Sequence, residues 1–203
     1  SQLKYYGRLW QNDPLMKIKS PDLEKTMRYV TRNIPKKWLF FSINPSKVKI
    51  VAFALLFHRT TAAMVFDTFV SAEKGDASGL ALLSFASDFI LPSLFTWGDL
   101  ATKAVSADID SSRNYFDEME KSDSIMGSPL SKMLWAPLQF SDFKLMRIPE
   151  EFRKPKSSNV ETLILSGSID FSTPAGSATN ELLPKLTRGR QIILKELGHV
   201  HDV

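Results

Sequence analysis

The sequence contains no cysteine. That excludes disulfides, thiolate metal centres and a cysteine nucleophile, and it leaves the compartment open, because a chain without thiols suits either redox environment. Histidine is nearly as scarce, with three in 203 residues, too few to assemble an imidazole-rich metal site. Neither a metal nor another cofactor is expected. Charge of one sign is also short: 26 Lys and Arg against 22 Asp and Glu leave +4, spread along the chain, which argues against a nucleic-acid partner. The longest apolar run, Ile50–Phe57, falls far below the roughly 20 residues of a membrane-spanning helix, so no transmembrane segment is expected. Only nine glycines occur, sparse for a complete enzyme built on tight strand-to-helix turns.

What is present suffices for a sizeable core, with 43% hydrophobic and 24% charged residues, and disorder is not expected. The composition changes near residue 150. Before it, the chain reads as a series of helices. Pro21-Asp22 opens a helix over Asp22–Arg32, with Leu23, Met27 and Val30 on helical spacing. Asn44-Pro45-Ser46 punctuates before Lys47–Phe57, and Thr60 or Thr61 is expected to cap a helix through Ser71. Gly75-Asp76-Ala77-Ser78-Gly79 is a turn, with Ser78 as the expected cap of Leu80–Leu91. Trp97–Ala104, Ser111–Glu120 and Pro129–Leu138 are shorter helical candidates.

After Ile148-Pro149 the pattern switches. Val160–Leu165 reads as a buried strand. Thr173-Pro174 signals a helix start running to about Leu183, and Gln191–Leu197 reads as a second strand. Strand, helix, strand implies a βαβ unit and a parallel sheet. Two strands do not make a stable sheet, so most of the sheet would have to come from elsewhere. The fold class expected is α/β, with a partial parallel sheet and a large helical insertion.

The chemistry gathers at the ends of those strands. The first ends in Ser166-Gly167-Ser168-Ile169-Asp170-Phe171-Ser172-Thr173-Pro174, the second in Leu197-Gly198-His199. Active groups in open α/β sheets collect beyond the carboxyl ends of strands, so Asp170 and His199 can face one another across neighbouring strands. A carboxylate on one imidazole nitrogen fixes the tautomer, and the other nitrogen is then free to take a proton from a nucleophile. Asp170 also reads as a turn residue before Ser-Thr. His201 competes with His199 but lacks the preceding glycine. Ser168 reads as a loop hydroxyl, and His58 as a structural or surface residue.

Strand, Gly-x-x-Asp-x-x-x-Pro, helix, strand, Gly-His over Val160–Val203 resembles the C-terminal part of the α/β-hydrolase superfamily. It is most similar to the peptidase-like branch of proline-type and tripeptidyl-type aminopeptidases. The resemblance implies Asp170 as triad acid, His199 as triad base and residues 20–149 as a helical lid inserted before the acid strand. Residues 1–19 would be a connector from the core, and 150–203 the C-terminal part of that core. The expected activity is acyl hydrolysis of a small peptide or ester substrate. The superfamily places its nucleophile upstream in Gly-x-Ser-x-Gly, and no such pentapeptide occurs here. Gly75-Asp76-Ala77-Ser78-Gly79 is the nearest approach, with Ala77 at the centre. The chain therefore reads as a piece of a longer or processed product. Its expected partner is the N-terminal half of the same hydrolase, or another chain covering the sheet edge. The alternative is a non-catalytic binding module on a hydrolase scaffold. A membrane-surface role is a third reading, from the basic charge and Ile50–Phe57.

The substrate-binding set is undefined. Glu150 and Glu151 are candidates because an aminopeptidase needs an anion for the substrate's α-amine, although a solvated pair is the simpler reading. Trp97 and Trp135 are candidates among lid aromatics that should be mostly core (Trp38, Phe53, Phe57, Phe66, Phe69, Phe85, Phe89 and Phe95 with them). Lys36-Lys37 and the group Arg147, Arg153, Lys154 and Lys156 read as solvated faces.

Overall fold

A computed structural model of the chain describes residues 2–94, 96–110, 112–121, 124–127, 131–133, 135 and 148–199. The chain is mixed α/β, mostly helical, with a small parallel sheet. The amino-terminal stretch is helical: α1 spans Gln2–Asn12 and α2 spans Pro14–Lys19. Asp13 caps α2 by accepting from the N–H groups of Leu15 and Met16, with Pro14 in the first turn, where its missing N–H costs nothing. Leu3 and Trp10 of α1 are buried, and the Trp10 indole donates to the Ser20 carbonyl at 2.9 Å.

Helix α3, Leu23–Arg32, starts where expected, because the Asp22 carboxylate accepts from the Lys25 N–H. It buries Leu23, Thr26, Met27, Val30 and Thr31, the 3–4 spacing of one helical face. Two short strands follow as an antiparallel hairpin, β1 (Lys37–Trp38) and β2 (Phe41–Ser42), which the sequence reading did not anticipate. Asn44 then caps α4 (Pro45–Leu55), accepting from Ser46 and Lys47. In the apolar run that continues past this helix, Ile50, Val51, Ala52 and Leu56 are core residues.

Helix α5, Arg59–Glu73, begins two or three residues earlier than expected. The cap is His58, whose Nδ1 accepts from the Thr60 N–H at 3.3 Å, not Thr60 or Thr61. The Thr61 hydroxyl turns back to the Leu55 and His58 carbonyls instead. Its buried face is Ala62, Val65, Phe66, Phe69 and Val70, while Met64 is exposed. Helix α6, Ser78–Leu94, contains Ser78 as its first residue. There the Asp76 carboxylate, and not the Ser78 hydroxyl, accepts the orphan N–H of the first turn. Past Leu91 the helix continues through Pro92, a position near its end where one lost hydrogen bond is tolerable.

Helices α3 to α6 pack as α3 on α5, α5 on α6 and α4 on both α5 and α6. Their common core includes Leu23, Met27, Val48, Val51, Val65, Phe69 and Leu80. Helix α7 spans Trp97–Asp108, and α8 spans Tyr115–Glu120 with Asn114 as its cap. The expected helix over Pro129–Leu138 falls largely outside the described residues. Phe85 and Phe89 correct the expectation of aromatic core: both stand on the outward face of α6 and are exposed.

The parallel pair is β3 (Thr162–Gly167) and β4 (Gly189–Leu194), in register from Thr162↔Gly189 to Gly167↔Leu194. The connection 175–185 is wound irregularly, one α-turn (Ala175–Ser177), a π-turn (Ala178–Leu182) and a 3-10 turn (Leu183–Lys185). Gln191 of β4 fastens it to the sheet, donating to the Ala175 carbonyl and accepting from Thr179 Oγ1. On the opposite sheet face Leu163, Leu165 and Ile192 are all about half exposed or more. Strands buried on both faces read as continuous apolar runs, and here one of those faces is bare.

Candidate acid–base site

Two loops meet beyond the carboxyl ends of β3 and β4. Their backbones are tied directly: Ser168 N–H donates to the Leu194 carbonyl at 2.9 Å and Ile169 N–H to the Leu197 carbonyl at 3.2 Å. The Ser168 hydroxyl accepts from the Glu196 N–H at 2.8 Å, which gives this loop hydroxyl its role and holds Glu196 at φ +59°. Gly167 makes the meeting possible. A Cβ on it would lie 2.2 Å from the Leu197 oxygen and 2.3 Å from the Gly198 oxygen.

Asp170 leaves this junction buried, its side chain only 7% exposed. Oδ1 accepts from the N–H groups of Ser172 (2.8 Å) and Thr173 (2.9 Å). Oδ2 accepts from the Thr173 hydroxyl at 2.8 Å and faces His199 Nδ1 at 2.9 Å. The turn role and the partner role read from the sequence are therefore not rivals: one oxygen serves each. Thr173, expected as a helix cap, spends its hydroxyl on the carboxylate, and Pro174 takes the cap position. Burial pushes the Asp170 carboxyl up, but the Thr173 N–H, His199, the Thr173 hydroxyl and the Ser172 N–H together outweigh it. The net result is a pKa below the ordinary carboxylate value.

The network assigns the His199 tautomer. Nδ1 carries the proton toward Asp170 Oδ2, with Thr173 Oγ1 also 3.2 Å away, while the Thr173 hydroxyl hydrogen is committed to Asp170. None of the described hydrogen bonds uses Nε2, and the side chain is 32% exposed. A third element fixes the histidine. Its N–H donates to the Phe57 carbonyl at 2.8 Å, and its ring meets the Phe57 ring edge-on at 5.8 Å. Phe57 follows the end of α4, so the histidine is anchored on the helical body. The acid loop is anchored there too, through Phe171 stacked on Tyr6 of α1 at 5.3 Å. The arrangement can hold one imidazole nitrogen protonated, steady the imidazolium, and leave the other nitrogen as a proton acceptor.

The other sequence candidates are not drawn to this site by any described contact. Glu150 pairs with Arg153 (3.2 Å) and Lys154 (3.0 Å), and Glu151 lies 4.0 Å from Lys156. Arg153 is not a solvated charge: its side chain is largely buried, and it donates to the carbonyls of Ala107 and Ile109 at the end of α7, where a cation satisfies orphan acceptors. The Trp135 ring lies tilted against Tyr115 at 4.4 Å. The side chain of Trp97, together with His201, Phe95 and Arg147, lies outside the described residues. Phe57, Thr173 and Gly167 were not read as parts of the site. Thr173 left a signal in the Asp-x-Ser-Thr-Pro turn and Gly167 in the Gly-x-x-Asp motif, whereas Phe57 left none.

In comparisons with known proteins, no family model, no curated protein and no solved structure matches the chain.

Proposed function

We propose that this chain supplies the triad acid, the triad base and the helical lid of an α/β-hydrolase-type serine hydrolase that cleaves small peptides or esters. The observation that carries the reading is the hydrogen bond of His199 Nδ1 to a buried, four-donor Asp170 at the ends of two adjacent parallel strands. The nucleophile is a serine outside residues 1–203, in the half of the sheet that packs on Leu163, Leu165 and Ile192 and extends the pair. A parallel sheet that is two-stranded and uncovered on one face among the described residues supports that requirement, since its apolar face and edges call for cover.

The chemistry follows from the free nitrogen. Nε2 takes the serine proton as the oxygen attacks the substrate carbonyl, and the imidazolium so formed is steadied by Asp170. Nε2–H then protonates the leaving group, and a water activated by the same nitrogen releases the acyl group. Phe57 and Thr173 are positioning residues, because they touch the histidine and not the reacting atoms.

The test is active-site labelling of the full-length gene product with a fluorophosphonate. Labelling should fall on a serine outside this chain and be lost in His199→Ala. A label on a serine within residues 1–203, or undiminished labelling of the variant, overturns the reading.

A further inference from the structure

The hairpin β1–β2 shows large apolar side chains to solvent where the backbone itself disfavours them. Its loop is Leu39–Phe40. Leu39 has φ +51°, the left-handed region that glycine or asparagine ordinarily occupies in a two-residue hairpin turn. Leu39 is 67% and Phe40 83% exposed. A residue that is both strained and exposed points to a function the isolated fold does not explain.

The tip is the head of a larger patch. Phe40 and Phe41 pack together at 4.5 Å. Phe41 and Phe85 line one open groove of about 710 Å³, and Phe85 adjoins the exposed Phe89 at 5.1 Å. The charge around it is positive. Lys36 and Lys37 lie three and two residues ahead of Leu39, both exposed, and Lys36 lines the groove. The one acid among the groove's described lining residues, Asp88, is taken by Lys47. None of the described ion pairs uses Lys36 or Lys37. The patch sits beside the amino-terminal end of α4, whereas Phe57, which accepts from His199, follows its other end. An 11-residue helix separates the two by about 16 Å.

We propose that the hairpin tip docks the protein on an anionic lipid bilayer. Leu39 and Phe40 enter the acyl boundary, Phe41, Phe85 and Phe89 lie at headgroup depth, and Lys36 and Lys37 meet the lipid anions. Lysine is depleted from protein–protein interfaces but suits a headgroup layer, where its stem stays apolar and its ammonium stays wet. A convex two-residue tip likewise suits a soft layer better than a second folded surface. The membrane-surface role expected from Ile50–Phe57 is thereby reassigned, because that run contributes four residues to the core. The inference is independent of the hydrolase reading, and either can fail alone.

The test is flotation of the 203-residue chain with vesicles of phosphatidylcholine alone and of equimolar phosphatidylcholine and phosphatidylserine. The chain should partition at least about tenfold more strongly onto the anionic vesicles, and lose this at high salt. L39N/F40S should lower partition at least about tenfold with no loss of melting temperature, since asparagine suits the turn. K36Q/K37Q should lower it roughly fivefold per lysine. Absence of binding to either vesicle overturns the proposal. So does wild-type partition by L39N/F40S, which would place binding elsewhere, such as the bare sheet. A concentration-dependent dimer abolished by L39N/F40S, without vesicle binding, would show a protein interface instead.

Discussion

Oδ2 of Asp170 lies 2.9 Å from Nδ1 of His199, although 29 positions separate the two residues in the chain. The approach is built by backbone: parallel register brings Gly167 beside Leu194, and the loops beyond are stitched by Ser168, Ile169 and Glu196. Thr173 then closes the carboxylate from the other side.

Asp170→Asn separates the turn from the pair. The amide oxygen can still accept from Ser172 and Thr173, so the loop should survive. The amide N–H groups would face His199 and favour a proton on Nε2, the wrong tautomer for a base. Nitrogen-15 NMR of the imidazole in this chain should show the tautomer reversed. Under the proposed hydrolase reading, kcat of the full-length gene product should fall by roughly 10³–10⁴. An unchanged tautomer would count against the assigned network.

Gly167→Ala tests the close approach of the loops. The added Cβ collides with two backbone oxygens, which cannot move as a flexible side chain can. The His199 loop should shift, with a destabilisation of about 2 kcal/mol or more and loss of the His199–Asp170 coupling by NMR. A variant with wild-type stability and an intact pair would mean that the loops lie farther apart.

Acid stability should carry the signature of Asp170. Its folded pKa is below its unfolded value, so the folded state binds fewer protons there. This contribution is complete above the ordinary carboxylate range and is lost as pH falls through the lowered folded value. The stability gap between wild type and Asp170→Asn, measured by denaturant titration, should therefore narrow on acidification below about pH 4. A gap that widens in acid would reverse the sign of the argument.

The helical body is tested at Phe69, fully buried on α5 between α3 and α6. Phe69→Ala should cost about 3–5 kcal/mol and lower the denaturation midpoint accordingly. A cost under about 1 kcal/mol would mean that this core is loosely packed.

Much of this was legible before any coordinates. The 3–4 spacing of Leu23, Met27 and Val30 marked α3, and two β-rich runs joined by a helical connector marked the parallel pair. Asp170 and His199 were legible because strand-end position is a sequence-local property. The hairpin was not, since Lys37–Trp38 and Phe41–Ser42 are too short for any period to show and a leucine stands where turn chemistry leads one to seek glycine. His58 as a cap was missed because imidazole is an uncommon capping acceptor and two threonines followed it. The clamp on His199 was invisible for another reason: it comes from the Phe57 carbonyl, and backbone groups leave no mark in composition.

The proposed role of His199, paired with Asp170, is that of the base of a serine hydrolase. It is tested most directly by kcat of the full-length gene product on small peptide and ester substrates, comparing His199→Ala with His201→Ala. His199→Ala should lose at least about 10³ in kcat with its melting temperature retained, while His201→Ala should keep most of its turnover. Unchanged kcat in His199→Ala, or the large loss appearing in His201→Ala instead, would contradict it.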